Sequence, residues 1–288
     1  MKYITDCIKY KGETIYSTYE YSKDSRHGCI LWKNKKMKTS GTFSMLIRGS
    51  RLIAGNYNEI CVIDLDTSSS LQSTTYKNNA VNYYFAEYDG IIYSTGLGCY
   101  SEVDTNTGHT MEHPYICDGK KCIHDILSIA VDKNHIYIGC DGGYLSCINR
   151  STYEVQYTRA FSAGITWLST FFEVPEGRQH VLEVGTYTGE YAMIMDGETV
   201  LQKNTKSIIW RIHKVNINGD SYNVVAQSYD GIGIYTGQMD LVQNIPTSDL
   251  VYTIDIDEAK GQAYGYNYYT GEVMSVDLHA IAQNRKTK

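Results

Sequence analysis

The sequence has no run approaching the roughly eighteen uninterrupted apolar residues that a membrane-spanning helix requires. Its opening segment, Met1-Lys2-Tyr3-Ile4-Thr5-Asp6, shows none of the apolar core of a secretory signal. The expectation is a cytoplasmic protein with no membrane partner, whose eight cysteines stay mostly reduced. Positive charge is also short. Against 32 acidic side chains stand 26 basic ones, a net charge of −6, which argues against a general polyanion binder and against DNA as a partner. There is no Gly-x-Ser-x-Gly elbow and no Ser, His and Asp set at a recognisable spacing, so the sequence nominates no catalytic residue and no cofactor. Proline occurs only three times, whereas tyrosine occurs 27 times and glycine 25 times in 288 residues. Apolar residues at 42% and charged residues at 20% exclude a disordered chain. Aromatic and β-branched enrichment with many glycines points to strands.

One pattern recurs along the chain: an apolar strand, a short Gly or Asn turn, a second strand, then Asp or Asn. Arg51–Asn58 leads to Cys61–Asp64, Gly90–Gly98 to Glu102–Asp104, and Ile136–Gly142 to Cys147–Asn149. Later copies are Val181–Gly189 with Met193–Asp196, Asn223–Gly231 with Ile232–Tyr235, and Ala263–Gly271 with Val273–Asp277. The turn markers Asn58, Gly98, Gly142, Gly189, Gly231 and Gly271 are spaced 40, 44, 47, 42 and 40 residues apart. One further step back reaches Thr14–Tyr21 and Gly28–Trp32, a weaker first copy. Seven units of about 41 residues result, the period of a propeller blade. A four-stranded blade cannot bury both faces alone; seven around an axis can.

The repeat resembles that of WD40 proteins, although the Trp-Asp pair that names them is missing from every copy. The fold class that follows is all-β, a seven-bladed WD40-like β-propeller over residues 1–279. The spare strand near Tyr3–Ile8 is expected to close the ring as the outer strand of the seventh blade, removing an open edge. Residues 280–288 are expected to leave the propeller as a basic tail.

Within residues 160–240, Ala163-Gly-Ile-Thr-Trp167, Val184-Gly-Thr-Tyr187, Ile209-Trp-Arg-Ile-His213 and Val225–Gly231 resemble consecutive blades of the diphthine methyltransferase WD-repeat family. That resemblance implies hydrolysis of the diphthine methyl ester on elongation factor 2. Short loops, scarce proline and heavy use of Tyr, Ile, Asn and Lys are similar in style to a compact microsporidian proteome. In size the chain resembles the ribosome dormancy factors of such organisms, which occupy the exit-tRNA region of inactive ribosomes. The favoured expectation is therefore a non-enzymatic binding protein of the translation machinery that meets ribosomal proteins and rRNA. Ester hydrolysis on elongation factor 2 and a general interaction scaffold are the alternatives.

Candidate contacts to such a partner are basic: Lys33, Lys35, Lys36 and Lys38 after the first hairpin, Arg211 within the family-like segment, and Arg285, Lys286 and Lys288 at the end. Basic side chains reach phosphates while an acidic body avoids indiscriminate binding. If the segment follows the blade pattern, Trp210 packs between blades and Arg211 approaches the channel or an acidic neighbour. His113, Cys117, Cys122 and His124 offer zinc-ligand residue types, but Cys-x4-Cys is loose and His124 crowds Cys122, so the expectation is no metal. Cys61 and Cys147 are expected to be buried as small apolar strand residues.

Overall fold

The computed structural model describes residues 2–22, 25–67, 73–78, 81–117, 119–173 and 179–286. Blade 1 is β1 (Lys2–Tyr10), β2 (Glu13–Ser22), β3 (Ser25–Trp32) and β4 (Lys35–Thr39). Blade 2 is β5 (Thr42–Arg48), β6 (Arg51–Asn56), β7 (Glu59–Asp64) and β8 (Ser73–Lys77). Blade 3 is β9 (Phe85–Tyr88), β10 (Ile91–Thr95), β11 (Cys99–Asp104) and β12 (Thr110–Pro114), followed by a hairpin of β13 (Ile116–Cys117) and β14 (Lys120–Lys121). Blade 4 is β15 (Ile126–Val131), β16 (His135–Cys140), β17 (Tyr144–Asn149) and β18 (Val155–Ala160). Blade 5 is β19 (Ile165–Glu173), β20 (Gln179–Thr186), β21 (Glu190–Met195) and β22 (Glu198–Asn204). Blade 6 is β23 (Arg211–Ile217), β24 (Asp220–Ala226), β25 (Ile232–Thr236) and β26 (Leu241–Ile245). Blade 7 has β27 (Val251–Asp257), β28 (Gln262–Asn267) and β29 (Val273–Asp277), after which the chain forms α1 (Leu278–Lys286).

The strand–turn–strand repeat in the sequence is the central hairpin of each blade, its second and third strands. Most of its turn markers sit at positive φ: Asn58 at 61°, Gly98 at 61°, Gly189 at 78°, Gly231 at 87° and Gly271 at 72°. The tight turn demands the left-handed region, which explains why Gly and Asn mark the period. Second strands such as β6 and β16 are buried almost throughout, because a neighbouring blade covers each face. Outer strands such as β8 and β22 are largely exposed.

Six apolar layers lie between successive blades, from blades 1 and 2 round to blades 6 and 7. The seam between blades 7 and 1 differs. There the described residues meet through polar and aromatic groups: Asp6 with Thr253, Tyr16 with Tyr266, Tyr3 with Tyr268, and Lys9 with Asp255 and Asp257, while Arg211 of blade 6 reaches the same Asp6.

Closure corrects one expectation. The N-terminal strand β1 is the innermost strand of blade 1, paired with β2 from Lys2↔Glu20 to Tyr10↔Glu13, and is not the outer strand of blade 7. It still stands at the seam, beside β27, with the Ile4 amide donating to the Tyr268 carbonyl at 3.3 Å. With its sheet partner only three residues away across a tight turn, β1 pairs locally before any long-range alternative forms.

The C-terminal segment corrects another. Residues 278–286 are a docked helix. The Asp277 carboxylate caps it by accepting from the Ala280 amide at 3.0 Å, and Leu278, Ile281 and Ala282 lie buried against blades 6 and 7. Their i, i+3, i+4 spacing makes one apolar stripe, a signal outweighed in the sequence by the charges that follow it.

Candidate aromatic mouth of the channel

Inner strands begin, and central hairpins turn, on one face of the ring, here termed the upper face. In blades 1, 2, 4, 5 and 7 the register of the inner strand slips once near its start: at Ile4/Asp6, Thr42/Ser44, Ile126/Ser128, Ile165/Trp167 and Val251/Thr253. Each slip leaves one residue unpaired: Thr5, Phe43, Leu127, Thr166 and Tyr252. A bulge re-aims the side chain it carries. All but Thr166 line the upper mouth of the channel; Thr166 donates instead to the Ile209 carbonyl. Tyr84 and Trp210, immediately before β9 and β23, fill the corresponding places in blades 3 and 6.

The result is a cavity of about 340 Å³ whose walls are mostly aromatic. Tyr187 stands edge-on to Trp210 at 5.2 Å between ring centres, Trp210 to Tyr252 at 4.8 Å, and Tyr252 to Tyr268 at 5.0 Å. Tyr268 stacks on Tyr3 at 4.8 Å and 6°. Across the opening, Phe43 bridges Tyr19 and Tyr83. Edge-to-face chains of this kind fix ring orientation beyond what burial alone does. Burial, then Asp141, Tyr84, Tyr252 and Asp125, push the Tyr187 phenol up to about 12. Asp125 lines the cavity, and its carboxyl is raised by burial and by Asp141. The indole N–H of Trp210 is buried and has no hydrogen-bond partner among the described residues.

The floor of the mouth is ionic. Asp6, fully buried, accepts from Arg211 Nη1 at 2.6 Å, Thr253 Oγ1 at 2.9 Å, and the amides of Met45 at 2.7 Å and Cys7 at 2.8 Å. One carboxylate therefore ties blades 1, 2, 6 and 7. Arg211 takes the place expected of it, the guanidinium on an acid in the channel, whereas Trp210, partly buried against the layer of blades 6 and 7, lines the mouth and is not sealed between blades. Arg211 is thereby consumed internally, which removes it as a partner contact.

The other predicted basic residues do not converge on this mouth. Lys33 and Lys35 flank the Trp32 ring at 5.1 and 5.2 Å, and Lys36 and Lys38 are exposed on β4, the outer strand of blade 1. Arg285 and Lys286 belong to α1, and Lys288 lies outside the described residues. Of the zinc-type residues, Cys117 and Cys122 stay together, buried with Cys140 in the layer between blades 3 and 4. The two histidines lie apart from them: His113 is sandwiched between Tyr100 and Tyr153 and faces Glu102, and His124 is exposed. All eight cysteines are free thiols, and Cys61 and Cys147 are buried strand residues as expected.

Below the ionic floor a second cavity of about 310 Å³ includes His213 and Asp255 in its lining. Burial and Arg211 lower His213 to about 4, too weak a base to take a proton efficiently near neutral pH. Among the described residues no hydrogen bond joins His213 to a hydroxyl or carboxylate.

Sequence reading missed the mouth. The signal was present, since Thr5, Phe43, Tyr84, Leu127, Trp210 and Tyr252 recur once in six of the seven blades, but their chemical types vary and only their place at the start of the inner strand makes them equivalent.

No family model matches the chain, and no curated protein matches it. Among solved structures it is similar to the β-propeller domain of Cps50 (Swd1) from Myceliophteria thermophila, with a TM-score of 0.70 at 14% identity over 96% of this chain and 97% of that one. It is likewise similar to the WD40 β-propeller domain of Doa1, with a TM-score of 0.68 at 12% identity over 95% and 92%. At such identities the likeness concerns architecture, and the architecture is a seven-bladed β-propeller of WD40 type.

Proposed function

We propose that the protein is a non-enzymatic interaction scaffold that docks a partner protein on its upper face. One observation carries this reading: exposed large apolar side chains gather there, around the aromatic mouth. Leu97 (64% exposed), Ile123 (81%), Tyr229 (60%) and Tyr269 (47%) all stand on upper-face loops or turns. On the lower turns Tyr153 is the counterpart among the described residues, while Met111, Val155, Val200, Leu241 and Val273 are spread singly over outer strands. Apolar groups clustered beside a concave mouth mark an interface, whereas scattered ones need no explanation. The test compares two variants with equal thermal melts. Tyr229→Ser/Tyr269→Ser is expected to lose the partners that the wild-type chain captures from its own cells, and Tyr153→Ser to retain them. Equal capture by both variants would sink the reading.

The finer proposal is that the partner belongs to the translation machinery, at the exit-tRNA region of inactive ribosomes. It draws on the resemblances in sequence and style and on Lys36 and Lys38 of β4, whose exposed side chains can meet rRNA phosphates. The alternative, hydrolysis of the diphthine methyl ester on elongation factor 2, draws on the Ile209–Ile212 segment. In that segment Arg211 is committed to Asp6 and His213 is a weak base, which favours binding over catalysis. Co-sedimentation with ribosomes from resting cells decides the point: absence of the protein from the ribosomal fraction removes the ribosome as partner.

A further inference from the structure

We propose that the aromatic mouth accepts the cationic end of a lysine or arginine side chain presented by a partner protein. This rests on the upper face being the docking face and adds the chemistry of what enters it. The walls supply the rings of Phe43, Tyr84, Tyr187, Trp210 and Tyr252, and a cation within about 6 Å of a ring centre, over its face, is attracted by the ring quadrupole. The charge in the mouth is negative. Asp125 lines the cavity, Asp141 stands beside it, and neither is ion-paired among the described residues.

The carboxylates are held in place by backbone. Asp125 forms an isolated bridge with Leu97, and the Asp141 amide donates to the Asp125 carbonyl at 2.9 Å. A β-carbon on Gly164 would fall 2.9 Å from Asp141 Oδ1 and 2.8 Å from Tyr187 Cδ2, so this glycine lets carboxylate and ring close on the same point. The Arg211 charge at the floor does not compete, being matched by Asp6 at 2.6 Å. An anionic guest would meet two unmatched carboxylates. An apolar guest would strip water from Asp125 and return nothing. A cation on an aliphatic stem satisfies walls and carboxylates together.

The test selects short random peptides on the full-length chain and then resynthesises the winners. Selected peptides are expected to share a lysine or arginine. Replacing it by norleucine, or by citrulline for arginine, should weaken binding about tenfold, as should Asp125→Asn/Asp141→Asn in the protein. Added salt should weaken it further. The peptide substitutions leave the protein untouched, so a variant that folds poorly does not blunt the test. Peptides that are lost on Tyr229→Ser/Tyr269→Ser but tolerate norleucine would overturn the cation guest while leaving the docking face standing. If no selected peptide responds to the upper-face variants, both readings fall.

Discussion

Arg211 Nη1 lies 2.6 Å from Asp6 Oδ1, joining the inner strands of blades 6 and 1 across a separation of 205 residues. The carboxylate is fully buried, and the Thr253 hydroxyl and two amides complete its coordination. Removing one partner strands the other charge. Asp6→Ala is expected to cost about 3–5 kcal/mol of stability, measured by urea unfolding. Asp6→Leu/Arg211→Met should recover much of that, because losing both charges together leaves neither unpaired. A loss under about 1 kcal/mol for Asp6→Ala would show that water already screens the pair.

The same pair bears on how the ring opens. Six inter-blade layers are apolar clusters, but the seam of blades 7 and 1 is held mainly by ion pairs, hydrogen bonds and tyrosine contacts. It lacks an interlocking strand, since β1 pairs within its own blade. Local opening follows the weakest apolar layer. Amide exchange should therefore be faster in β1 and β27–β29 than in the matching strands of blades 4 and 5. Slower exchange at the seam would mean that the polar staple outweighs the missing apolar layer.

Stability should respond to pH through two groups below the channel floor, with opposite signs. His213 is lowered from 6.5 to about 4 by burial and Arg211, so its contribution is present above about pH 6.5 and is lost as pH falls towards 4. Asp255 is raised from 3.8 to about 6, by burial first, so its contribution is present at low pH and is lost as pH rises through 6. Between about pH 4 and 6 the two slopes oppose each other. Asp255→Asn should leave a steeper acid loss than wild type, and His213→Gln a shallower or inverted one. Identical slopes in both variants, read by denaturant unfolding, would refute the assignment.

The blade count was legible because the turns demand positive φ, and Asn58, Gly98, Gly189, Gly231 and Gly271 supply it at near-constant spacing. Closure was not legible. Tyr3–Ile8 reads as a strand in either location, and the sequence pattern alone does not choose between a local hairpin and a long-range edge. The helix α1 was hidden for another reason: Leu278, Ile281 and Ala282 make a stripe too short to stand out beside Arg285 and Lys286. In the site, the acidic partner of Arg211 was readable from strand alternation, whereas Trp210, one residue before β23, lines the mouth instead. The mouth as a whole was not readable, because Thr5, Phe43, Leu127 and Tyr252 share only a bulge, which has no residue signature.

The helix supplies the last prediction. Blade 7 has three strands, and α1 packs Leu278, Ile281 and Ala282 into the layer it shares with blade 6, against residues such as Val215, Ile217 and Val276. Had residues 280–288 been a free tail, removing them would leave the melt unchanged. With Ile281 and Ala282 buried, truncation at Asp277 removes apolar cover from both blades. Ile281→Ala alone is expected to cost about 2 kcal/mol, the low end for deleting buried methylenes where the cavity opens partly to solvent. Full truncation should cost more and lower the thermal midpoint by several degrees. Arg285→Ala/Lys286→Ala should leave stability nearly unaltered, separating the packing role of the helix from any contact its charges make. A truncated chain that melts with the wild type would put α1 off the propeller and restore the tail.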